Sequence, residues 1–242
     1  MHFNRVAAAI SISLAAMVCV SSVQAAQTHQ YRLDGSLSDD FAGPALLSNG
    51  GILGASGYSF GANQGLTLGA SLGSVYTIDL SFRFDTHGGW QKIIDFSNLA
   101  LDSGMYTLGS NYNFYPEADM GAAPGDGVDG RLTLTRDASN TVSVYANGVF
   151  SGSFVDSSGL ANFGGNNANF FIDDFATSQG EAAGGFVDYI RTWDTALNAN
   201  DVAALGSPVA APIPEPETYA MMLAGLGLLG VVARRRRQKQ VA

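Results

Sequence analysis

The chain reads as all-β, a two-sheet antiparallel sandwich of jelly-roll type, and three observations predict it. Over 76–84 every second side chain is large and apolar (Tyr76, Ile78, Leu80, Phe82, Phe84), with Thr77, Asp79, Ser81 and Arg83 between them. That is the period of a strand with one buried face. Asn147 and Gly148 separate two alternating runs. Both residues tolerate positive φ, so the pair selects a tight type I′ hairpin. Helical periodicity is nearly absent from 26 to 208, where Gly, Asn, Asp and Ser turns separate many short runs.

Along the chain, strands are expected over 30–33, 66–68, 76–84, 91–96, 105–108 and 111–115, each an alternating or short apolar run bounded by turn residues. Thr86 to Gly89 reads as a turn with His87 as a solvated loop histidine, ahead of a strand that starts near Trp90. Glu117, Ala118 and Asp119 read as an acidic loop near Pro116 and Pro124. The strongest unit is 132–136, a turn at 137–140, 142–145, the Asn147-Gly148 turn and 149–155. Strands over 169–172 and 186–193 close the set, and one short helix over 200–205 follows with Asn198 as its cap.

The two ends are of a different kind. Arg5, an apolar stretch over 6–20 and the small-residue site Val23-Gln24-Ala25 form a signal peptide, 1–25, cleaved after Ala25. Cys19, the one cysteine, lies inside this leader, so neither disulfides nor thiolate chemistry serve the body. At the other end Pro214, Glu215, Pro216 and Glu217 precede an uncharged stretch over 218–233 and then Arg234, Arg235, Arg236 and Arg237. Four arginines do not cross hydrocarbon cheaply, so they stay on the cytoplasmic side of a transmembrane helix. Sixteen residues span roughly 24 Å against a core of about 30 Å, which suits a temporary anchor. Gly225, Gly227 and Gly230 spell G-x-G-x-x-G, but with arginines directly behind and no βαβ context they are no dinucleotide site. The organisation expected is thus 1–25 leader, 26–208 domain, 209–217 Pro/Glu linker, 218–233 membrane helix and 234–242 basic tail.

The Pro-Glu-Pro motif, apolar helix and arginine cluster, in that order, resemble the PEP-CTERM sorting signal. The resemblance implies an inner-membrane intermediate, removal of the leader by signal peptidase, cleavage near the motif by an exosortase, and delivery to the cell surface or exopolysaccharide matrix of a Gram-negative bacterium.

The body carries six Lys plus Arg against nineteen Asp plus Glu, of which seventeen are Asp. So acidic a surface excludes a nucleic-acid partner. The hairpin from Arg131 to Gly148, the closing run from Phe186 to Asp194 with Ala196 and Leu197, and the opening Tyr31-Arg32-Leu33-Asp34-Gly35 resemble laminin G-like, concanavalin A-like jelly rolls. That superfamily holds both glycosidases and binding modules, so function must come from the residues.

Retaining hydrolases of this fold place two glutamates and an aspartate on one strand, because nucleophile and acid flank the scissile bond at about 5 Å. Glu117 and Glu181 are the only glutamates of the body, sixty-four residues apart; Glu117-Ala118-Asp119 starts like that pattern, but Met120, Gly121 and Ala122 follow without the second glutamate. His29 and His87 form no zinc-like pair. The expectation is therefore no enzyme. Calcium suits the oxygen-rich loops, and the jelly-roll resemblance implies Asp188 and Asp34 as its ligands. Asp126 to Gly130 reads as a Gly-rich turn and Asp173-Asp174 as an exposed acidic turn. Tyr106, Tyr112, Tyr115 and Trp90 are candidates for stacking on sugar rings or for the core. The function expected is an exported surface or matrix protein that binds carbohydrate or other surface polymers. A glycoside hydrolase and a purely structural scaffold are the alternatives.

Overall fold

A computed structural model of the chain describes residues 26–207. The leader, the Pro-Glu-Pro motif, the predicted membrane helix over 218–233 and the arginine cluster lie outside the described residues. Among the described residues no helix is long and apolar enough to cross a membrane.

The strands are β1 (Gln27–Tyr31), β2 (Leu46–Ser48), β3 (Ile52–Leu53), β4 (Tyr58–Phe60), β5 (Leu66–Leu68), β6 (Tyr76–Phe84), β7 (Trp90–Asp95), β8 (Gly104–Leu108), β9 (Asn111–Tyr115), β10 (Ala118–Ala122), β11 (Gly130–Arg136), β12 (Thr141–Ala146), β13 (Val149–Val155), β14 (Ala168–Phe170) and β15 (Gly185–Trp193), followed by the helix α1 (Ala199–Ala204). They form two antiparallel sheets. One runs β13-β12-β11-β6-β15-β4-β3, with β1 also paired to β15; the other runs β10-β9-β8-β7-β14-β5-β2. The predicted sandwich is therefore present.

The inner faces meet in one core built from the alternating side chains of β6 and Phe60 of β4, from Met105, Tyr112, Phe114 and Met120 of the facing sheet, and from Phe163 and Phe171 of the joining segments. Each fully buried aliphatic or aromatic side chain contributes about 1.5–3 kcal/mol, so this layer holds the sheets together without any cross-link. Asn147 (φ 51°) and Gly148 (φ 83°) both take the left-handed conformation the I′ turn requires. Asn198 caps α1 by accepting from the Asn200 and Asp201 amides.

Two expectations need correction here. Ala118–Ala122 is not a loop but the edge strand β10, paired with β9 through Asp119↔Asn113; Glu117 is left in the exposed turn before it. Thr77 and Asp79, placed by alternation on a wet face, are fully buried. The cause is the segment after β15, which folds back over the outer face of the eight-stranded sheet. There Val202 and Leu205 join Tyr145, Trp193 and Leu197 in a second small core, and Thr77 Oγ1 donates to the Thr195 carbonyl at 2.7 Å.

Candidate functional site: an aromatic and acidic face on the seven-stranded sheet

On β8 and β9 the pairs Met105↔Phe114 and Thr107↔Tyr112 point into the core, so the alternate pair Tyr106↔Asn113 lies on the outer face. Lys92↔Tyr106 and Trp90↔Leu108 extend that row onto β7. The rings of Trp90, Tyr106 and Tyr115 meet edge to face, with centroids 5.5 Å apart for Trp90 and Tyr106 and 5.1 Å for Trp90 and Tyr115. This is the arrangement aromatic quadrupoles favour. Tyr106 is buried, whereas Trp90 and Tyr115 keep part of their surface open; Tyr112 belongs to the core.

Beside the rings sits a fully buried ammonium. Lys92 Nζ donates to Asp174 Oδ2 at 2.7 Å and to the Ser103 carbonyl at 2.9 Å. It lies 3.7 Å from Asp173 Oδ1 and 4.2 Å above the Tyr106 ring. A charge taken out of water needs partners of this kind. Asp173-Asp174 is thus not the exposed acidic turn expected: both side chains are fully buried. Asp173 Oδ2 accepts from Thr177 Oγ1 and from the Glu181 amide, each at 2.8 Å. The Tyr106 hydroxyl lies 3.3 Å from both Asp102 and Asp174.

So many carboxylates around one lysine disturb one another. Burial, then the nearby charges of Asp102 and Asp173, push the Glu181 carboxyl up to about 7. Burial and the surrounding acids, Asp174 foremost, also drive the Tyr106 phenol far above its ordinary range. For Asp174 burial acts upward, but the Lys92 hydrogen bond and the Thr177 amide outweigh it and hold the carboxyl below the usual range. The polar face continues across the sheet, where Asn49 Nδ2 donates to Thr67 Oγ1, Thr67 Oγ1 to Asn169 Oδ1 and Asn169 Nδ2 to Asp95 Oδ1. At its margin Phe175 (66% exposed) and Leu101 (51% exposed) project from adjoining loops, which are tied by the Phe175 amide to the Leu99 carbonyl.

Of the residues singled out by sequence, Trp90, Tyr106 and Tyr115 come together, with Glu181 next to them. Lys92, Asp102 and Phe175 were missed. A signal for the first existed: Lys92 is the only lysine of the body and stands in an apolar run before Ile93 and Ile94, where a buried carboxylate partner is required.

The other predicted residues lie elsewhere. Asp188 is exposed at a β-bulge between Val187 and Tyr189. It lines an open pocket of about 260 Å³ with Asp129, Arg131, Ser81, Asn147 and Tyr189. Burial, then Asp129, raises its proton affinity. Asp34 is exposed and pairs with Arg32. Among the described residues no group of three or more His, Cys, Asp or Glu is placed to hold a metal. His87 is enclosed rather than solvated, its side chain 7% exposed and its Nδ1 2.8 Å from Asp126 Oδ1. That contact ties the turn at Thr86–Gly89 to the Gly-rich 126–130 segment.

Comparison with known proteins places this geometry in context. The Trypanosoma rangeli sialidase aligns with a TM-score of 0.60 at 13% identity, over 74% of this chain and 32% of its own. Domain 4 of AbnA, an extracellular GH43 arabinanase from Geobacillus stearothermophilus solved with arabinotriose, aligns at 0.57 and 18% identity, over 74% of this chain and 97% of its own. The chain spans about a third of the sialidase's length. Identities this low show the fold alone: a β-sandwich of the kind found in carbohydrate-active proteins. The narrower laminin G-like label is not among these likenesses. The expectation of no enzyme is corrected by them, since sialidase and arabinanase structures share this fold and leave catalysis possible. No curated protein matches the sequence. Residues 212–237 match the PEP-CTERM protein-sorting motif, which implies export, processing by an exosortase and sorting to the cell surface.

Proposed function

We propose that this is an exported surface or matrix protein whose sandwich holds a carbohydrate polymer across the outer face of the seven-stranded sheet. The carrying observation is the juxtaposition of part-open Trp90 and Tyr115 with the hydrogen-bonding groups of Asp102, Asn113 and Glu181. Flat apolar rings take the C–H faces of a pyranose or furanose, and flanking carboxyl and amide groups fix its hydroxyls. The arabinotriose bound by the arabinanase domain supports this reading by fold likeness. In the route proposed, signal peptidase removes 1–25 and the 218–233 segment holds the chain in the inner membrane until the exosortase acts.

A glycan array probed with the full-length protein tests it. One or more neutral or charged polysaccharides should bind, and Trp90→Ala or Tyr115→Ala should weaken that binding about ten-fold, or about 1.4 kcal/mol. Binding that survives both substitutions would move the site elsewhere. A second reading, hydrolysis at the same face, is favoured by the Glu181 carboxyl, which near pH 7 holds the proton a general acid needs. Reducing ends released from the bound polymer, and lost in Glu181→Gln, would establish it.

A further inference from the structure

The balance of charge at this face says which carbohydrate it takes. Among the described residues Lys92 is the one cation in direct contact with the cluster, against Asp102, Asp173, Asp174 and Glu181. Two polar atoms inside the cluster also have no hydrogen-bond partner although fully buried: Asp173 Oδ1, which faces Lys92 Nζ across 3.7 Å, and Ser103 Oγ, whose own residue's carbonyl receives that ammonium. A neutral sugar offers hydroxyls to such a face but no compensation for its charge. A uronic acid or a sialic acid would add another carboxylate to a site whose acids already raise the proton affinity of Glu181.

Resting on the carbohydrate reading above, we propose that the face recognises an ammonium-bearing amino sugar, as found in a glucosamine-containing polymer. Lys92 is the internal precedent. Beside the Ser103 carbonyl and the more distant Asp173, its own ammonium has a hydrogen-bonded carboxylate and an aromatic face, Asp174 at 2.7 Å and the Tyr106 ring at 4.2 Å. The same two chemistries recur toward solvent, with Asp102 and Glu181 as part-open carboxyls and Trp90 and Tyr115 as part-open rings. Cation–π contact and a charge-assisted hydrogen bond then act on one group. A bound ammonium stabilises the Glu181 carboxylate, so binding near neutral pH releases a proton from it.

Titration calorimetry of the full-length protein with three hexasaccharides tests this: a glucosamine oligomer, its N-acetylated counterpart and a neutral glucan. The glucosamine oligomer should bind about ten-fold tighter than either of the others at pH 7. Its affinity alone should fall as salt is raised, since charge pairing at a part-open face is screened. Its heat should depend on the buffer's ionisation enthalpy, the mark of proton release. The Asp102→Asn, Glu181→Gln double variant should lose the preference and the buffer dependence together. Equal affinity for all three sugars, or a preference that survives in the double variant, overturns the amino-sugar assignment while the carbohydrate site stands. Failure of all three to bind, with the glycan array also blank, removes the carbohydrate reading itself.

Discussion

Glu181 carries a proton to higher pH than any exposed glutamate would, and stability must follow. Its folded-state value is raised to about 7 from an ordinary 4.5. Between those values the folded chain binds more protons than the unfolded one, so this group's contribution is full below about pH 4.5 and is lost as pH rises through 7. Asp188 and Asp95, also raised, act in the same sense; Asp174, lowered, acts oppositely and only in more acid solution. The melting temperature should therefore fall from about pH 5 to pH 8. Glu181→Gln should flatten that fall and melt higher than the parent at pH 8, which scanning calorimetry would read. A steeper fall in the variant would contradict the assignment. At this scale the sequence is least informative. The partners of Lys92 lie 82 residues away in Asp174 and 11 away in Ser103, and the carboxylate that perturbs Asp188 is Asp129, in the segment before β11, so neither could be paired by local pattern.

Elements were more legible, because they answer to local rules. Period-2 runs long enough to show themselves appear as written: β6, β9 and β13 keep the expected bounds. The Asn147-Gly148 turn and the Asn198 cap are local chemistry and likewise hold. What escaped were β2, β3 and β4, of two or three residues each, too short for a period to be visible, and β10, whose pairing comes from β9 rather than from its own apolar content. One glycine decides how the candidate site is built. Gly104 opens β8 at φ 136° beside the bulge between Lys92 and Ile94, and a Cβ there would lie 2.5 Å from the Ile94 carbonyl oxygen. Only glycine enters that conformation freely. Gly104→Ala should cost about 1–3 kcal/mol, a fall of about 5 °C in melting temperature for a domain of this size. It should also weaken sugar binding by shifting Tyr106 against Lys92. An unchanged melting point would mean that the bulge relaxes without strain.

For the whole molecule, composition and alternation sufficed to identify a cysteine-free two-sheet sandwich, but not that its outer faces would be partly closed by returning chain. Asp79 shows what that closure requires. Fully buried, it accepts from Thr133 Oγ1 at 2.5 Å and Arg191 Nε at 2.8 Å, while Arg131 Nε stands 3.3 Å away as an ion pair without hydrogen-bond alignment. The two arginines reach on to the last described residues: Arg131 donates to the carbonyls of Leu205 and Val202, and Arg191 to that of Gly206. A six-residue helix does not stand alone in water, so α1 persists because this clamp and the burial of Val202 and Leu205 hold it. Burying those two side chains contributes about 3–5 kcal/mol. A chain ended after Ser207 retains the whole arrangement and should melt as the full-length protein does. A chain ended after Asn198 loses both apolar contacts, uncovers Tyr145 and Trp193, and leaves two guanidiniums without their carbonyl acceptors. It should melt at least about 5 °C lower and bind a dye specific for exposed apolar surface. Equal melting of the two truncations would show that the sandwich is stable without its returning segment, and that the route of the chain toward the sorting motif is not fixed by the fold.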